Sequence, residues 1–143
     1  MPNVVHDFPI FVPPMRVFAA ISLPEGLNHW WTKTSTGTPA VGSSYQLGFG
    51  PDHQWVATVT NSETDAVFEL EFVEADADWA GTRVGFELSR IENGTHVRFH
   101  HHGWAQDNEH YRTSCYCWAM YLRVMKRYLE YGETVPYEKR LDA

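Results

Sequence analysis

The sequence predicts an α+β fold in which one long C-terminal helix packs on one face of a curved antiparallel sheet. Three observations predict it. Apolar residues recur at steps of four and three through the last part of the chain, a period of two governs the middle, and Asn93-Gly94 joins two of the period-two segments. The predicted order is a strand, two short helices, about five further strands and the long helix, hence about six strands in one domain spanning 1–143.

The first segment, Val4 to Val12, is β-branched and aromatic, but Pro9 cannot donate to a ladder and places the strand at an edge or a bulge. Pro13-Pro14 open a short helix over Met15 to Ile21, where Val17, Phe18 and Ile21 share a face. Pro24 opens a second, ending near Trp31. From Thr32 to Ser44 the chain is Thr, Ser, Gly and Pro with almost no apolar residues, which predicts a loop or lid. Alternation then begins, with Tyr45, Leu47 and Phe49, then Trp55, Ala57 and Val59, then Phe68, Leu70 and Phe72 each on one side of a strand. A two-residue turn at Asn93-Gly94 would pair Leu88 with Phe99 and Phe86 with His101 inside, and Glu87 with His100 and Ser89 with Arg98 outside.

The long helix is predicted over Asp107 to Glu130. Tyr111, Cys115, Trp118, Leu122, Met125 and Leu129 fall within about 80° of one another at ~100° per residue. Asp107 or Asn108 can cap its start, and Gly132 with Pro136 beyond supplies the stop. At ~1.5 Å per residue it is about 36 Å long, enough to lie across a whole small sheet.

Composition narrows the partners. A net charge of −7 opposes a phosphate backbone, so nucleic acid is not an expected partner. No apolar run approaches the ~18 residues of a membrane span, and Asp7 with nearby prolines interrupts any leader-like segment, which gives a cytoplasmic expectation. The two cysteines, Cys115 and Cys117, lie about 200° apart on the helix and are expected reduced and structural. There is no Gly-x-Ser-x-Gly elbow, no His-Glu-x-x-His and no phosphate loop.

The run Thr95-His96-Val97-Arg98-Phe99-His100-His101-His102-Gly103-Trp104, then Tyr111, Trp118, Tyr121 and the ending Gly132 to Pro136, resembles the Hsp90-ATPase-activator-homologue-like proteins of the START/Bet v 1-like superfamily. Pro14 to Ile21, Trp30-Trp31 and Val41-Gly42 match as well. The resemblance covers nearly the whole chain. It implies the helix-grip fold, in which a bent sheet wraps the C-terminal helix and leaves a cavity between them. That fold hosts lipid carriers, polyketide cyclases, hormone receptors and co-chaperone domains, so it does not settle function.

Within that frame the cavity candidates are Trp30 or Trp31, Phe49, Trp55, Phe68, Leu70, Phe72, Phe86, Leu88, Phe99, His101 and Trp104 from loop and sheet, with Tyr111, Cys115, Trp118 and Leu122 from the helix. Such a set either lines an apolar pocket or fills an ordinary core. His101, Tyr111 and Tyr121 are its polar groups. An inward imidazole either meets a ligand or is satisfied by a core hydrogen bond. His100, His102 and Glu87 have the types and spacing of a metal site, and equally of a solvated cross-strand face; no metal or other cofactor is expected. Cys115 with His101 or His110 is a nucleophile pair in composition only, since a buried helix thiol is usually inert.

A second helix stripe, Tyr116, Met120, Val124 and Tyr131, is apolar where a monomer would place charge. It predicts either a homodimer or a cover formed by the tail from Tyr137 to Leu141. The function expected is binding of a small, largely apolar or aromatic molecule between sheet and helix. One alternative is a metal-free cyclase or dehydratase of polyketide-cyclase type, in which His101 or Tyr111 moves protons. Another is a co-chaperone-like interaction module.

Overall fold

A computed structural model describes residues 2–143. The long helix α3 runs over Glu109–Tyr131, and its ends follow from local chemistry. The Asn108 side chain, not that of Asp107, caps it by accepting the Tyr111 N–H at 2.9 Å, and Gly132 ends it in the left-handed region at φ 70°. Trp118, Leu122, Met125 and Leu129 are buried, each contributing roughly 1.5–3 kcal/mol by leaving water, while Tyr111 and Cys115 at the same face are only half buried.

Strands β1 (Val4–Ile10), β2 (Thr34–Thr36), β3 (Ser44–Gly48), β4 (Gln54–Glu63), β5 (Val67–Glu74), β6 (Arg83–Ile91) and β7 (Gly94–His102) form one antiparallel sheet in the order β1-β7-β6-β5-β4-β3-β2. Helices α1 (Pro14–Ser22) and α2 (Pro24–Leu27) follow the first strand. This is the helix-grip arrangement. The sheet has seven strands, one more than the alternation predicts. The extra one, β2, lies within the segment expected to be a loop: Thr34 to Thr36 pair with Gln46 to Gly48 at the sheet edge, where a strand needs no apolar face. The second short helix ends at Leu27, four residues before Trp31.

The β6–β7 register corrects the sequence expectation. Glu92 and Asn93 form the turn, so Ile91 pairs with Gly94, Leu88 with Val97, Glu87 with Arg98, Phe86 with Phe99, Gly85 with His100 and Val84 with His101. Asn93 alone takes the positive φ, at 69°. Gly94 is required for another reason: a Cβ there would collide with the Ile10 carbonyl oxygen and lie 2.8 Å from Phe11 Cα. The slip is two residues, so every side chain keeps its expected face and only the partners change.

Pro9 sits, as its chemistry demands, on the edge strand β1, and α3 closes part of that edge. Lys126 Nζ donates to the Pro9 carbonyl at 2.6 Å, Glu130 accepts the Phe11 N–H at 2.8 Å, and the Tyr111 hydroxyl donates to the Asn3 carbonyl at 2.7 Å. The last residues, Tyr137–Asp142, form a 3-10 turn that packs on α3 and is held by Arg140. No helix among the described residues is long and apolar enough to cross a membrane.

Candidate ligand-binding cleft

The rings expected to line a cavity largely meet one another. Trp30, Trp31, Phe68, Leu70, Phe72, Phe86, Leu88, Phe99, His101, Trp104, Trp118 and Leu122 are buried, and Phe49 and Trp55 are half buried beside them. Ring centroids stand 4.5 Å apart for Phe99 and Trp118, 5.2 Å for Phe86 and Phe99 and 5.3 Å for Trp31 and Trp118, all within aromatic contact. Trp30 is tied to the scaffold, its indole N–H donating to the Ala20 carbonyl at 2.8 Å. Trp79 sits among Trp55, Phe72, His101, Trp104 and Trp118, and sequence reasoning missed it. It lies in the β5–β6 connection, where no period marks it; a lone Trp among Ala and Asp was the available signal.

An open cleft of about 180 Å³ remains beside this stack. Trp31, Trp79 and Trp118 form its apolar walls, and α3 supplies His110, Thr113, Ser114, Cys117 and Tyr121. His110, Ser114, Cys117 and Tyr121 recur at steps of four, three and four, so they form a stripe one step round from the face packed on the sheet, with Thr113 beside it. Trp79 donates its indole N–H to Ser114 Oγ at 3.3 Å, which joins the two sides of the cleft. Burial pushes up the Cys117 thiol and the Tyr121 hydroxyl, so both keep their protons at neutral pH. His110 Nδ1 lies 3.0 Å from Asp78 Oδ2.

The two groups expected to move protons are engaged elsewhere. His101 is 0% exposed, accepts the Trp118 indole N–H on Nδ1 at 3.0 Å and has Thr82 Oγ1 at 2.8 Å from Nε2. Its pKa is lowered to about 3, first by burial and then by the neighbouring imidazoles. The Tyr111 hydroxyl points to the Asn3 carbonyl at the surface. Cys115 is half buried and lies outside the residues that line the cleft, as Tyr111 does.

On the outer face of the sheet, His100 lies over Gly85 and its Nε2 is 2.8 Å from Glu69 Oε2, while Glu87 stands opposite Arg98. His100 and His102 stack at 4.4 Å. The described residues contain no group of three or more His, Cys, Asp or Glu placed to hold a metal ion. In the outer helix stripe, Tyr116 and Tyr131 are 78% and 74% exposed, whereas Val124 is 1% exposed and belongs to the packed part of α3.

Residues 12–130 match the family described as Activator of Hsp90 ATPase homolog 1-like protein. The solution structure of the Aha1 dimer from Colwellia psychrerythraea is similar at 28% identity and TM-score 0.84, with 93% of this chain and 99% of that one covered. Proteins from Staphylococcus saprophyticus and Mesorhizobium loti share the fold, each at 20% identity and TM-score 0.80, covering 94% and 92% of this chain and 96% and 99% of theirs. No curated protein matches the chain in sequence.

Proposed function

Because the chain belongs to the Activator of Hsp90 ATPase homolog 1-like family, whose fold sets a bent sheet around a helix, we propose that it binds a small aromatic molecule in the cleft beside α3. The observation that carries this reading is the wall of Trp31, Trp79 and Trp118 with a few polar groups on one side. Ligand sites have this makeup: mostly apolar and aromatic lining with a small number of placed polar atoms. Two other recesses carry more charge and fit such a ligand less well. The one between β1 and α3 is lined by His6, Asp7, Arg123 and Lys126 among others, and the outer-face groove by Asp7, Glu69, Glu87, Arg98 and two histidines.

The test is the thermal midpoint of the protein against single-ring aromatics, fused aromatics, fatty acids and isoprenoids. A ligand at ~100 times its dissociation constant adds about 2.7 kcal/mol, which raises the midpoint by roughly 5 to 11 °C at this chain length. Trp79→Ala should abolish the shift while the variant stays folded. A midpoint that no compound moves would end this reading.

A homodimer through Tyr116, Met120 and Tyr131 is the second reading. It is supported by the exposure of the two tyrosines and by the dimer of the Colwellia relative. Sedimentation should show a dimer for the wild type and a monomer for Met120→Glu; a wild-type monomer would remove it.

A further inference from the structure

Asp78 and His110 come from different elements, the β5–β6 connection and the first turn of α3, and meet at 3.0 Å, with His110 in the lining of the cleft. Two bonds aim the carboxylate. Asp78 Oδ1 accepts from Asn108 Nδ2 at 3.3 Å, and Asn108 is itself fixed as the cap of α3. Asp78 Oδ2 faces His110 Nδ1 at 3.0 Å. An ionised carboxylate only accepts, so it holds the proton of a neutral imidazole on Nδ1 and leaves Nε2 as a lone pair. Among the described residues Nε2 has no hydrogen-bonding partner.

The remaining polar side chains of the cleft are of another kind. Cys117 and Tyr121 keep their protons, and the hydroxyls of Thr113 and Ser114 are weaker acceptors than an imidazole nitrogen, with Ser114 Oγ already accepting from Trp79. With its proton held on Nδ1, His110 is therefore the strongest acceptor that the cleft offers. The size of the cleft suits one ring: a cavity of about 150 Å³ accommodates benzene, and this cleft is about 180 Å³.

We infer that the cleft selects a single-ring phenol, its ring set among Trp31, Trp79 and Trp118 and its hydroxyl donating to Nε2 of His110. The inference rests on the reading that the cleft binds a small aromatic molecule, and it adds the polar group that the ligand carries. A methyl ether of the same ring has no proton to donate and leaves the imidazole lone pair facing a methyl group, so the site holds it less tightly.

Isothermal titration calorimetry near neutral pH, with 4-methylphenol and 4-methylanisole as probes, separates the two readings. The wild type should bind the phenol about tenfold more tightly, although the ether is the more apolar of the two. In His110→Phe that ratio should fall to about one while 4-methylanisole still binds. Asp78→Asn keeps the shape of the pair but supplies an amide N–H to Nδ1, which moves the imidazole proton to Nε2, so the preference should vanish with His110 still in place. Equal affinity of the wild type for both probes would overturn the His110 anchor and leave the aromatic cleft standing. An unchanged preference in both variants would overturn the anchor too, and no binding of either probe would overturn the single-ring phenol while the thermal panel decides whether the cleft takes any aromatic molecule.

Discussion

Trp118 donates its indole N–H to Nδ1 of His101 at 3.0 Å, and that bond fixes the tautomer of the buried imidazole. With Nδ1 accepting, the proton is on Nε2 and goes to Thr82 Oγ1 at 2.8 Å, and the Thr82 hydroxyl passes on to the Trp79 carbonyl at 2.6 Å. Helix, sheet and the β5–β6 connection are joined by one satisfied chain of bonds. His101→Phe leaves the Trp118 N–H buried without an acceptor, which costs about 1–3 kcal/mol. Urea denaturation should show that loss, and Trp118→Phe added to it should cost less than it does in the wild type, because the orphaned donor is then gone. Additive losses would show that the bond carries no stability of its own.

The same imidazole makes the protein sensitive to acid. Its folded pKa is about 3, below the ordinary value near 6.5, so the unfolded chain takes up this proton first as pH falls. Stability from this group is intact above about pH 6.5 and is lost progressively from there down toward about pH 3, at about 1.4 kcal/mol per pH unit at most. His101→Gln cannot take up the proton in either state. Its unfolding free energy should therefore fall less steeply between about pH 6 and pH 4 than that of the wild type, by about one proton in the slope. Parallel profiles would show that His101 is protonated in the folded protein.

Helix and sheet were legible because each buries one continuous face: Trp118, Leu122, Met125 and Leu129 on α3, and Phe68, Leu70 and Phe72 on β5, lie inward as their spacing requires. Strand β2 was not legible, since a three-residue edge strand of Thr and Ser has no apolar alternation to read. The Asn93-Gly94 signal was misread because Gly94 answers to the backbone of Ile10 and Phe11, a contact formed at long range. Trp31, Trp118 and Tyr121 of the cleft belong to the set expected to line a cavity, whereas Trp79, Thr113, Ser114 and Cys117 do not, for a related reason. The helix stripe of His110, Ser114, Cys117 and Tyr121 is polar beside an apolar face, and the other wall of the cleft is a tryptophan in a loop.

Two glycines separate a backbone constraint from a side-chain one. A Cβ at Gly94 meets the main chain of Ile10 and Phe11, which cannot step aside without moving β1. At Gly85 it meets the ring of His100, the far end of a side chain. Gly94→Ala should cost about 3 kcal/mol or more, as overpacking against fixed atoms does. Gly85→Ala should cost about 1 kcal/mol and break the His100–Glu69 contact. Thermal unfolding ranks the two, and an equal cost would show that β1 yields as readily as a histidine ring.

Arg140, 4% exposed, places its guanidinium among three backbone carbonyls: Nη2 donates to Asn28 at 2.7 Å, Nη1 to Thr32 at 3.2 Å and Nε to Val135 at 3.1 Å. The fork spans two segments, the tail itself and the stretch that carries Trp30 and Trp31. Arg140→Ala leaves those oxygens without donors and should cost about 2–4 kcal/mol. Lysine, a single ammonium on a flexible stem, cannot reach all three and should restore only part of that loss. Because Thr32 adjoins Trp31, loosening the tail also frees one wall of the cleft. Backbone amide exchange at Trp31 to Lys33 should quicken in Arg140→Ala and the affinity for aromatic probes should fall, although Arg140 is not among the residues that line the cleft. Unchanged exchange at these amides with a lowered unfolding free energy would confine Arg140 to global stability and leave the position of Trp31 to its ring contacts with Phe49, Phe72 and Trp118.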